Sequence, residues 1–168
     1  MIREELAAYA EDIKTFVTHP KNVREGNVTA IMDSLTAHGQ YRPIVVQRST
    51  KHVLAGNHTL EAARLLGWSK IAVTYIDCDD DQGLRILLAD NRTNDLASYN
   101  DDKLSELLKI LKETPTGFEG TLFDDAALTN LLRKTEPVIR QDSTHEVNHE
   151  AWDMAHKCPK CGFEYDDE

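Results

Sequence analysis

A glycine lies where a predicted strand passes directly into a predicted helix, within Val-Leu-Ala-Gly-Asn-His-Thr at 53–59. Because glycine has no Cβ, Gly56 allows a tight turn and a close approach of the backbone to a ligand. The free amides and the dipole at a helix start favour an anion. His58 and the hydroxyl of Thr59 can donate hydrogen bonds to phosphate oxygens. The residues alone leave two interpretations open, a phosphate site at Gly56-Asn57-His58 or a helix start without a ligand.

A second group of chemically competent residues lies near the C-terminus, where Cys158 and Cys161 form a Cys-x-x-Cys followed by glycine. Zinc takes four ligands in structural sites, so two more donors are needed. His145 and His149 are four residues apart and share a face if their segment is helical, and His156 is an alternative ligand. The pattern predicts a structural zinc. A redox-active cysteine pair and a metal shared between two chains are the alternatives.

The elements that position these residues are predicted from apolar spacing and from residues typical of helix ends and turns. They are an amphipathic helix over 1–12, a strand over 13–17, a helix from Asn27 to Gly39, a hairpin of strands 44–47 and 52–55, a helix capped by Asn57 or His58 and ending at Gly67, a strand over 71–76, and helices from Asp79 toward Leu96, over 101–113 and over 124–133. This order predicts an α/β fold with a small mixed sheet, a helical extension and a zinc-knuckle tail.

The same pattern predicts how the chain divides into segments. We expect an N-terminal helix at 1–12, an α/β domain at 13–100, a helical extension at 101–135, a polar linker at 136–144 and the zinc knuckle at 145–168. Acidic residues stand near the N-terminus where a signal peptide would have its apolar core. The sequence also contains no apolar run of the roughly 18 residues that a membrane helix needs. We therefore expect a cytoplasmic protein without a membrane partner.

Charge is distributed unevenly along the chain. The formal net charge is −10, yet His19 to Ser98 contains nine bases and nine acids, so the whole acidic excess lies outside that segment. An acidic chain lacks the positive field that attracts nucleic acid regardless of sequence. We therefore expect phosphate binding to be local, near Arg24, Arg42, Arg64 and Arg92.

Five motifs follow one another over about half of the chain, namely His-Pro-Lys-Asn-Val-Arg at 19–24, Ser-Leu-Thr-Ala-His-Gly-Gln-Tyr-Arg-Pro-Ile-Val-Val at 34–46, Leu-Ala-Gly-Asn-His at 54–58, Glu-Ala-Ala at 61–63 and Ala-Asp-Asn-Arg-Thr-Asn-Asp-Leu at 89–96. Taken together they resemble the ParB N-terminal domain family, which shares its fold with sulfiredoxin and with an ADP-dependent free-serine kinase. The resemblance implies a nucleotide or phosphate site formed by Arg24, Arg42, Gly56, Asn57, His58, Thr59, Asn91 and Arg92.

The chain departs from the partition-type members of that family. Those members usually carry Gly-Glu-Arg-Arg-x-Arg where this chain has Gly-Asn-His-Thr-Leu-Glu at 56–61. Arginine is the residue that clamps phosphate oxygens bidentately. The missing arginines argue against the CTP clamp of the partition proteins. The closer likeness is to stand-alone or methyltransferase-linked ParB-like domains of actinobacteria and their phages.

The resemblance implies two classes of function. The first is a nucleotide-binding module in phage or mobile-element DNA metabolism, with DNA, a DNA-modifying protein or a second copy of the chain as partner. The second is an enzyme, a phosphotransferase or NTPase that uses Glu25 or Asp90 as a base and a nucleotide with Mg²⁺. A nuclease, as the family label suggests, is a third alternative. The sequence lacks the cluster of acids with a lysine that metal-assisted phosphodiester cleavage needs.

Overall fold

The computed structural model describes residues 1–135 and 156–165. The chain divides into two compact units, Met1–Glu136 and Pro137–Glu168. His145 and His149, two of the predicted zinc ligands, lie outside the described residues. Within the described ranges, no helix is both long enough and apolar enough to cross a membrane.

A five-stranded mixed sheet forms the centre of the first unit. Its strands are β1 (Ala10–Asp12), β2 (Val17–Thr18), β3 (Ile44–Gln47), β4 (His52–Ala55) and β5 (Lys70–Ile76). They lie in the order β1-β5-β3-β4-β2. Strand β3 pairs parallel with β5 and antiparallel with β4, while β4 pairs parallel with β2 and β1 antiparallel with β5. The mixed sheet and its helices confirm the predicted α/β class, and the β3–β4 pair is the predicted hairpin.

Five α-helices belong to the same unit, namely α1 (Val28–His38), α2 (Asn57–Leu65), α3 (Asp80–Leu96), α4 (Asp101–Lys112) and α5 (Asp125–Thr135). Two of the predicted caps are confirmed. The Asn27 side chain accepts a hydrogen bond from the Ala30 amide at 3.0 Å, and that of Asp79 accepts one from Gln82 at 2.8 Å. Such a cap stabilises a helix by about 1 kcal/mol because it satisfies an amide that has no partner inside the helix.

The unit has two separate apolar clusters. The main one packs the sheet against α1 and α2 and is centred on side chains with little or no exposure, namely Phe16, Ile44, Val46, Val53, Leu60 and Ile71. The second joins α4 and α5 through Leu108, Leu128 and Leu131. The helical extension therefore has its own small core.

The N-terminal segment differs from its prediction. Glu4–Tyr9 forms a 3-10 helix and Ala10–Asp12 forms β1, so the amphipathic helix predicted over 1–12 is wrong. The strand predicted over 13–17 is replaced by a 3-10 turn at Ile13–Thr15, followed by β2. Tertiary contacts explain the difference from the predicted helix. Pairing of Ala10 with Ala72 joins the segment to β5, and this long-range ladder overrides a weak local helix preference.

Candidate anion-binding site

The turn between β4 and α2 is built around a left-handed glycine. Gly56 has φ 93° and ψ 27° and occupies the N-cap position of α2, and no side chain caps this helix. A Cβ at Gly56 would lie 2.7 Å from Cγ2 of Ile44. Both the backbone conformation and this close approach require glycine. The prediction of Asn57 or His58 as the cap is therefore wrong, and the first amides of α2 have no side-chain acceptor.

The Asn57 side chain stabilises the turn and does not cap α2. Its buried carboxamide accepts a hydrogen bond from the His19 amide at 2.7 Å and donates one to the Val53 carbonyl at 3.1 Å. These two bonds connect the loop after β2 to strand β4. Since the side chain is occupied, Asn57 has its backbone amide to offer to an anion.

His58 holds a neighbouring loop against the turn. Its Nε2 lies 3.1 Å from both the Gly26 amide nitrogen and the Arg24 carbonyl oxygen. In one tautomer Nε2 accepts from Gly26, and in the other it donates to Arg24. Glu25 lies between these two residues and is exposed. The imidazole therefore fixes the loop that carries Glu25 beside the start of α2.

Arg24 connects this loop to α3. Its Nη1 donates to the Asn91 carbonyl at 2.8 Å and lies 3.0 Å from Oδ1 of Asp95. The side chains of Arg24 and Asp95 are 37% and 52% exposed. A pair this exposed contributes only about 0–1 kcal/mol, so a phosphate can compete for the guanidinium. The predicted residues Arg24, His58 and Asn91 are thus connected by hydrogen bonds.

Four predicted site residues surround one cavity. Arg42, Gly56, Thr59 and Asp90 line a space of about 170 Å³ at the start of α2. Arg42 and Thr59 also line a neighbouring cavity of about 200 Å³, so the two cavities share a wall. The arrangement provides a helix start, a guanidinium, a hydroxyl and a carboxylate around a space large enough for a phosphate group. The other predicted residues line neither cavity, namely Arg24, Glu25, Asn57, His58, Asn91 and Arg92, and Arg92 is exposed.

Sequence reasoning missed Gln40, which fixes the segment that carries Arg42. Gln40 is 1% exposed. Its Oε1 accepts from the Ala72 amide at 2.7 Å, and its Nε2 donates to the carbonyls of Ala72 at 2.9 Å and Arg42 at 3.1 Å. The side chain thus occupies hydrogen-bonding positions of β5 that a neighbouring strand would otherwise take. A buried glutamine is not predicted from apolar spacing, although its place between a helix-ending glycine and a strand was a signal.

A third cavity, of about 120 Å³, lies apart from these residues and is lined in part by His19, Gln47, His52 and Asp80. The two imidazole rings meet edge to face, with 5.2 Å between their centroids. Burial is the main cause that lowers the pKa of His19; electrostatic interactions with His52 and Lys21 lower it further, and Asp80 opposes them. Nδ1 of His19 accepts a hydrogen bond from the Lys21 amide at 3.1 Å, as a neutral imidazole can.

The C-terminal cysteines lie on a tight turn between two short strands. β6 (His156–Lys157) pairs antiparallel with β7 (Glu164–Tyr165), and Gly162 in the turn has φ 78°. The backbone amides of Cys161 and Lys160 point at the Cys158 sulfur and lower the pKa of that thiol. A turn that stabilises thiolate suits zinc. Among the described residues, no three donor side chains come together as a metal site.

The fold and the turn together define a ParB-type α/β domain. The ParB N-terminal domain family matches residues 9–92, half of the 168-residue chain, and the chain belongs to that family.

Two Streptomyces proteins are related to the chain in sequence. It is 30% identical over 115 residues to the "Streptomycin biosynthesis operon possible regulatory protein" of Streptomyces griseus. This alignment covers 68% of this chain and 32% of that protein. It is 30% identical over 102 residues to the transcriptional regulator NovG of Streptomyces niveus, covering 61% of this chain and 31% of the regulator. The chain therefore spans about a third of the length of these curated relatives.

A solved structure shares the fold. The C-terminally truncated chromosome-partitioning protein ParB from Caulobacter crescentus, complexed with CTP-gamma-S, superposes with a TM-score of 0.61 at 20% identity. The match covers 74% of this chain and 76% of that chain. This similarity confirms the ParB-type fold that the sequence motifs predicted.

Proposed function

We propose that this chain binds a nucleotide through its phosphates, which lie on the first amides of α2. The observation that carries the proposal is the cavity at Gly56, where a helix without a side-chain cap meets Arg42, Thr59 and Asp90. Unpaired helix amides and the helix dipole attract an anion, and a guanidinium strengthens that attraction. The nucleotide-bound Caulobacter ParB, which has the same fold, supports the choice of ligand.

The remaining predicted residues complete the proposed site around that cavity. Arg24 reaches the phosphates by exchanging Asp95 for them, while Asn91 accepts from its guanidinium. His58 keeps the loop with Arg24 in place. Arg92, exposed on α3, is the residue of the predicted set that the described contacts support least.

We assign this binding module to DNA metabolism, with a regulatory role in a phage, a mobile element or its host cytoplasm. The two Streptomyces relatives, one described as a possible regulatory protein and the other as a transcriptional regulator, support the regulatory part. Because the chain has a net charge of −10, its own attraction to DNA is weak and contact with DNA requires a partner. A DNA-modifying protein provides that partner; a second copy of the chain, which has the same charge, is proposed only as a partner in a homodimer.

An enzyme that transfers or hydrolyses a phosphoryl group is the second candidate. The carboxylate of Asp90 lines the proposed phosphate cavity, where it can act as a base or hold Mg²⁺, whereas Glu25 is exposed on the adjacent loop. This placement favours Asp90 over Glu25 as the base. Release of phosphate from ATP by the wild-type protein, and its loss in Asp90→Asn, would establish this alternative.

We also propose that the C-terminal turn holds a structural zinc. Cys158 and Cys161 fit the metal because the turn stabilises a thiolate. The residue after the second cysteine has a left-handed backbone, which Gly162 adopts without strain. His156 on β6 and two residues outside the described part, His145 and His149, are the candidates for the other ligands.

The experiment that tests nucleotide binding is a thermal-shift screen of ATP, ADP, CTP, GTP and phosphate, with and without magnesium. A ligand at 100 times its dissociation constant should stabilise the protein by about 2.7 kcal/mol. Because the partition-type arginines are absent, we expect ATP and CTP to bind with similar affinity. A preference for CTP of about a hundredfold or more, worth about 2.7 kcal/mol, would instead support a partition-type clamp.

Variants locate the ligand in that screen. Arg42→Gln and Thr59→Val should each reduce the shift, since they remove a donor from the cavity without a large change in volume. Arg85→Gln is the matched control, because Arg85 is an exposed arginine that pairs with Asp81 on α3. An undiminished shift in both cavity variants would mean that the phosphates bind elsewhere.

A further inference from the structure

Leu122 is an unusual residue in the joint between α4 and α5. It adopts the left-handed region with φ 65°, where residues other than glycine are strained. Its side chain is 59% exposed. Despite that exposure it lines the 200 Å³ cavity beside the proposed phosphate site, together with Tyr41, Arg42 and Thr59. Strain of this kind persists only where the surrounding structure maintains it, and it is concentrated at ligand sites.

The structure that maintains Leu122 is the contact between the joint and the end of α1. A Cβ on Gly120 would collide with the His38 ring and would lie 2.7 Å from Cβ of Ala37. The backbone of the joint is therefore pressed against α1 two residues before Leu122. Because of this contact, Leu122 of the helical extension lines a cavity whose other lining residues belong to the α/β domain.

The lining of this cavity is chemically mixed. Ile31, Leu35 and Leu122 are apolar, whereas Ser34, Gln40, Tyr41 and Arg42 are polar. Such a space suits a flat ring with apolar faces and a polar edge, as in a nucleobase. Because Arg42 and Thr59 line both cavities, a phosphate on the turn and a base in this space can belong to one ligand.

We propose that Leu122 closes the nucleoside end of the site, so that the helical extension helps to determine affinity for the base. This inference rests on the proposed nucleotide binding. A nucleoside covers the exposed leucine, and removal of that apolar contact weakens binding of a nucleotide but not binding of its phosphates alone. Leu122 thereby contributes to affinity for the nucleoside from outside the α/β domain.

The test compares ATP with inorganic tripolyphosphate in calorimetric titrations of the full chain. Leu122→Ala should weaken ATP about tenfold, as expected when a buried apolar side chain is truncated. Tripolyphosphate should bind within about twofold of wild type, which is within about 0.4 kcal/mol. Leu122→Met, which keeps an apolar side chain, should restore most of the ATP affinity.

Leu107→Ala is the matched control, since Leu107 is a comparably exposed leucine on α4 that does not line this cavity. It should leave both affinities at the wild-type level. Unchanged ATP affinity in Leu122→Ala would overturn the inference, as would an equal loss for ATP and tripolyphosphate. Failure of the wild type to bind either compound would overturn the proposed function, and this inference with it.

Discussion

Two separate constraints act on Gly56, and a second glycine allows them to be distinguished. Gly56 combines a left-handed backbone with a close approach to Ile44, whereas Gly67 has φ 72° with no atom within 4 Å of a built Cβ. The backbone constraint costs a residue with a side chain about 1–2 kcal/mol. Overpacking against a core side chain costs a further 1–3 kcal/mol or so. A bulky residue at position 56 therefore impairs folding as well as binding.

We predict that Gly56→Ala lowers the free energy of unfolding by about 2–4 kcal/mol, while Gly67→Ala lowers it by about 1 kcal/mol. Urea denaturation of the two variants beside wild type measures both losses. Equal losses would show that Ile44 yields to the added methyl group and that only the backbone conformation matters. Because of this folding cost, variants at Arg42 and Thr59 report on the ligand more directly than variants at Gly56.

His19 makes stability depend on pH. Its pKa is lowered in the folded state, so the folded protein binds fewer protons than the unfolded chain around the ordinary pKa of about 6.5. The contribution of His19 is therefore complete above about pH 6.5 and is lost as the pH falls toward the folded pKa. One proton limits the slope to about 1.4 kcal/mol per pH unit.

We predict that His19→Asn flattens this part of the pH profile. The Asn carbonyl can still accept from Lys21, as Nδ1 of His19 does at 3.1 Å, but it does not titrate. Urea denaturation at pH 7.5 and pH 5.5 measures the difference for both proteins. An unchanged difference in the variant would assign the pH dependence to other groups.

The loop around Arg24 is held by α3 through its contact with Asp95. If the guanidinium exchanges this carboxylate for a phosphate, the carboxylate competes with the ligand. The energy of such an exposed pair is about 0–1 kcal/mol, which limits the competition to a factor of about five.

We predict that Asp95→Asn strengthens ATP binding by about two- to fivefold. Asp81→Asn is the control, because Asp81 is an exposed carboxylate that pairs with Arg85 on the same helix. Isothermal titration of both variants measures the change. Weaker binding in Asp95→Asn would indicate that Asp95 positions Arg24 for the ligand instead of competing with it.

Elements whose ends carry local signals were predicted well. Asn27 and Gly39 delimit α1, and Asp79 caps α3, because each acts on amides or carbonyls within one turn of itself. The segment before Phe16 was predicted incorrectly, because β1 forms only by pairing with β5, about 60 residues away. Long-range pairing leaves no trace in a short sequence window.

The site was predictable in part for the same reason. The glycine turn is a local motif. Arg42 and Thr59, predicted as phosphate-site residues, and Asp90, predicted as a base, line the cavity beside it. The roles of Asn57 and Gln40 depend on partners 38 and 32 residues away. Leu122 lines the neighbouring cavity, although it lies in a joint that is distant in sequence from Gly56. Its left-handed φ has no signal in the sequence.

At the scale of the whole molecule, the C-terminal unit poses a separate stability problem. A short polar segment generally buries too little apolar surface to fold without help, and a structural zinc, where one binds, supplies about 10 kcal/mol or more of binding free energy. The thiolate-stabilising turn at Cys158 is consistent with that source of stability.

We predict about one zinc per chain in protein purified without chelator, and its loss in the double variant Cys158→Ser with Cys161→Ser. Elemental analysis measures the metal, and limited proteolysis should show cleavage confined to the C-terminal unit. Cys78→Ser is the control for a thiol outside the turn. ATP binding should persist in the double variant. Protein without zinc would refute the metal site, whereas lost ATP binding would assign the turn to the nucleotide site.

The two outer strands of the sheet have a consequence for behaviour at high concentration. β1 has three residues and β2 has two, and β1 carries Glu11 and Asp12. An exposed strand edge is a template for aggregation, and natural sheets protect themselves with short, charged edge strands. The apolar strands β3 and β5 lie inside the sheet, where β3 is flanked by β5 and β4, and β5 is flanked by β3 and, over Lys70–Ala72, by β1. The arrangement thus protects the folded chain from amyloid-like growth through its most β-prone segments.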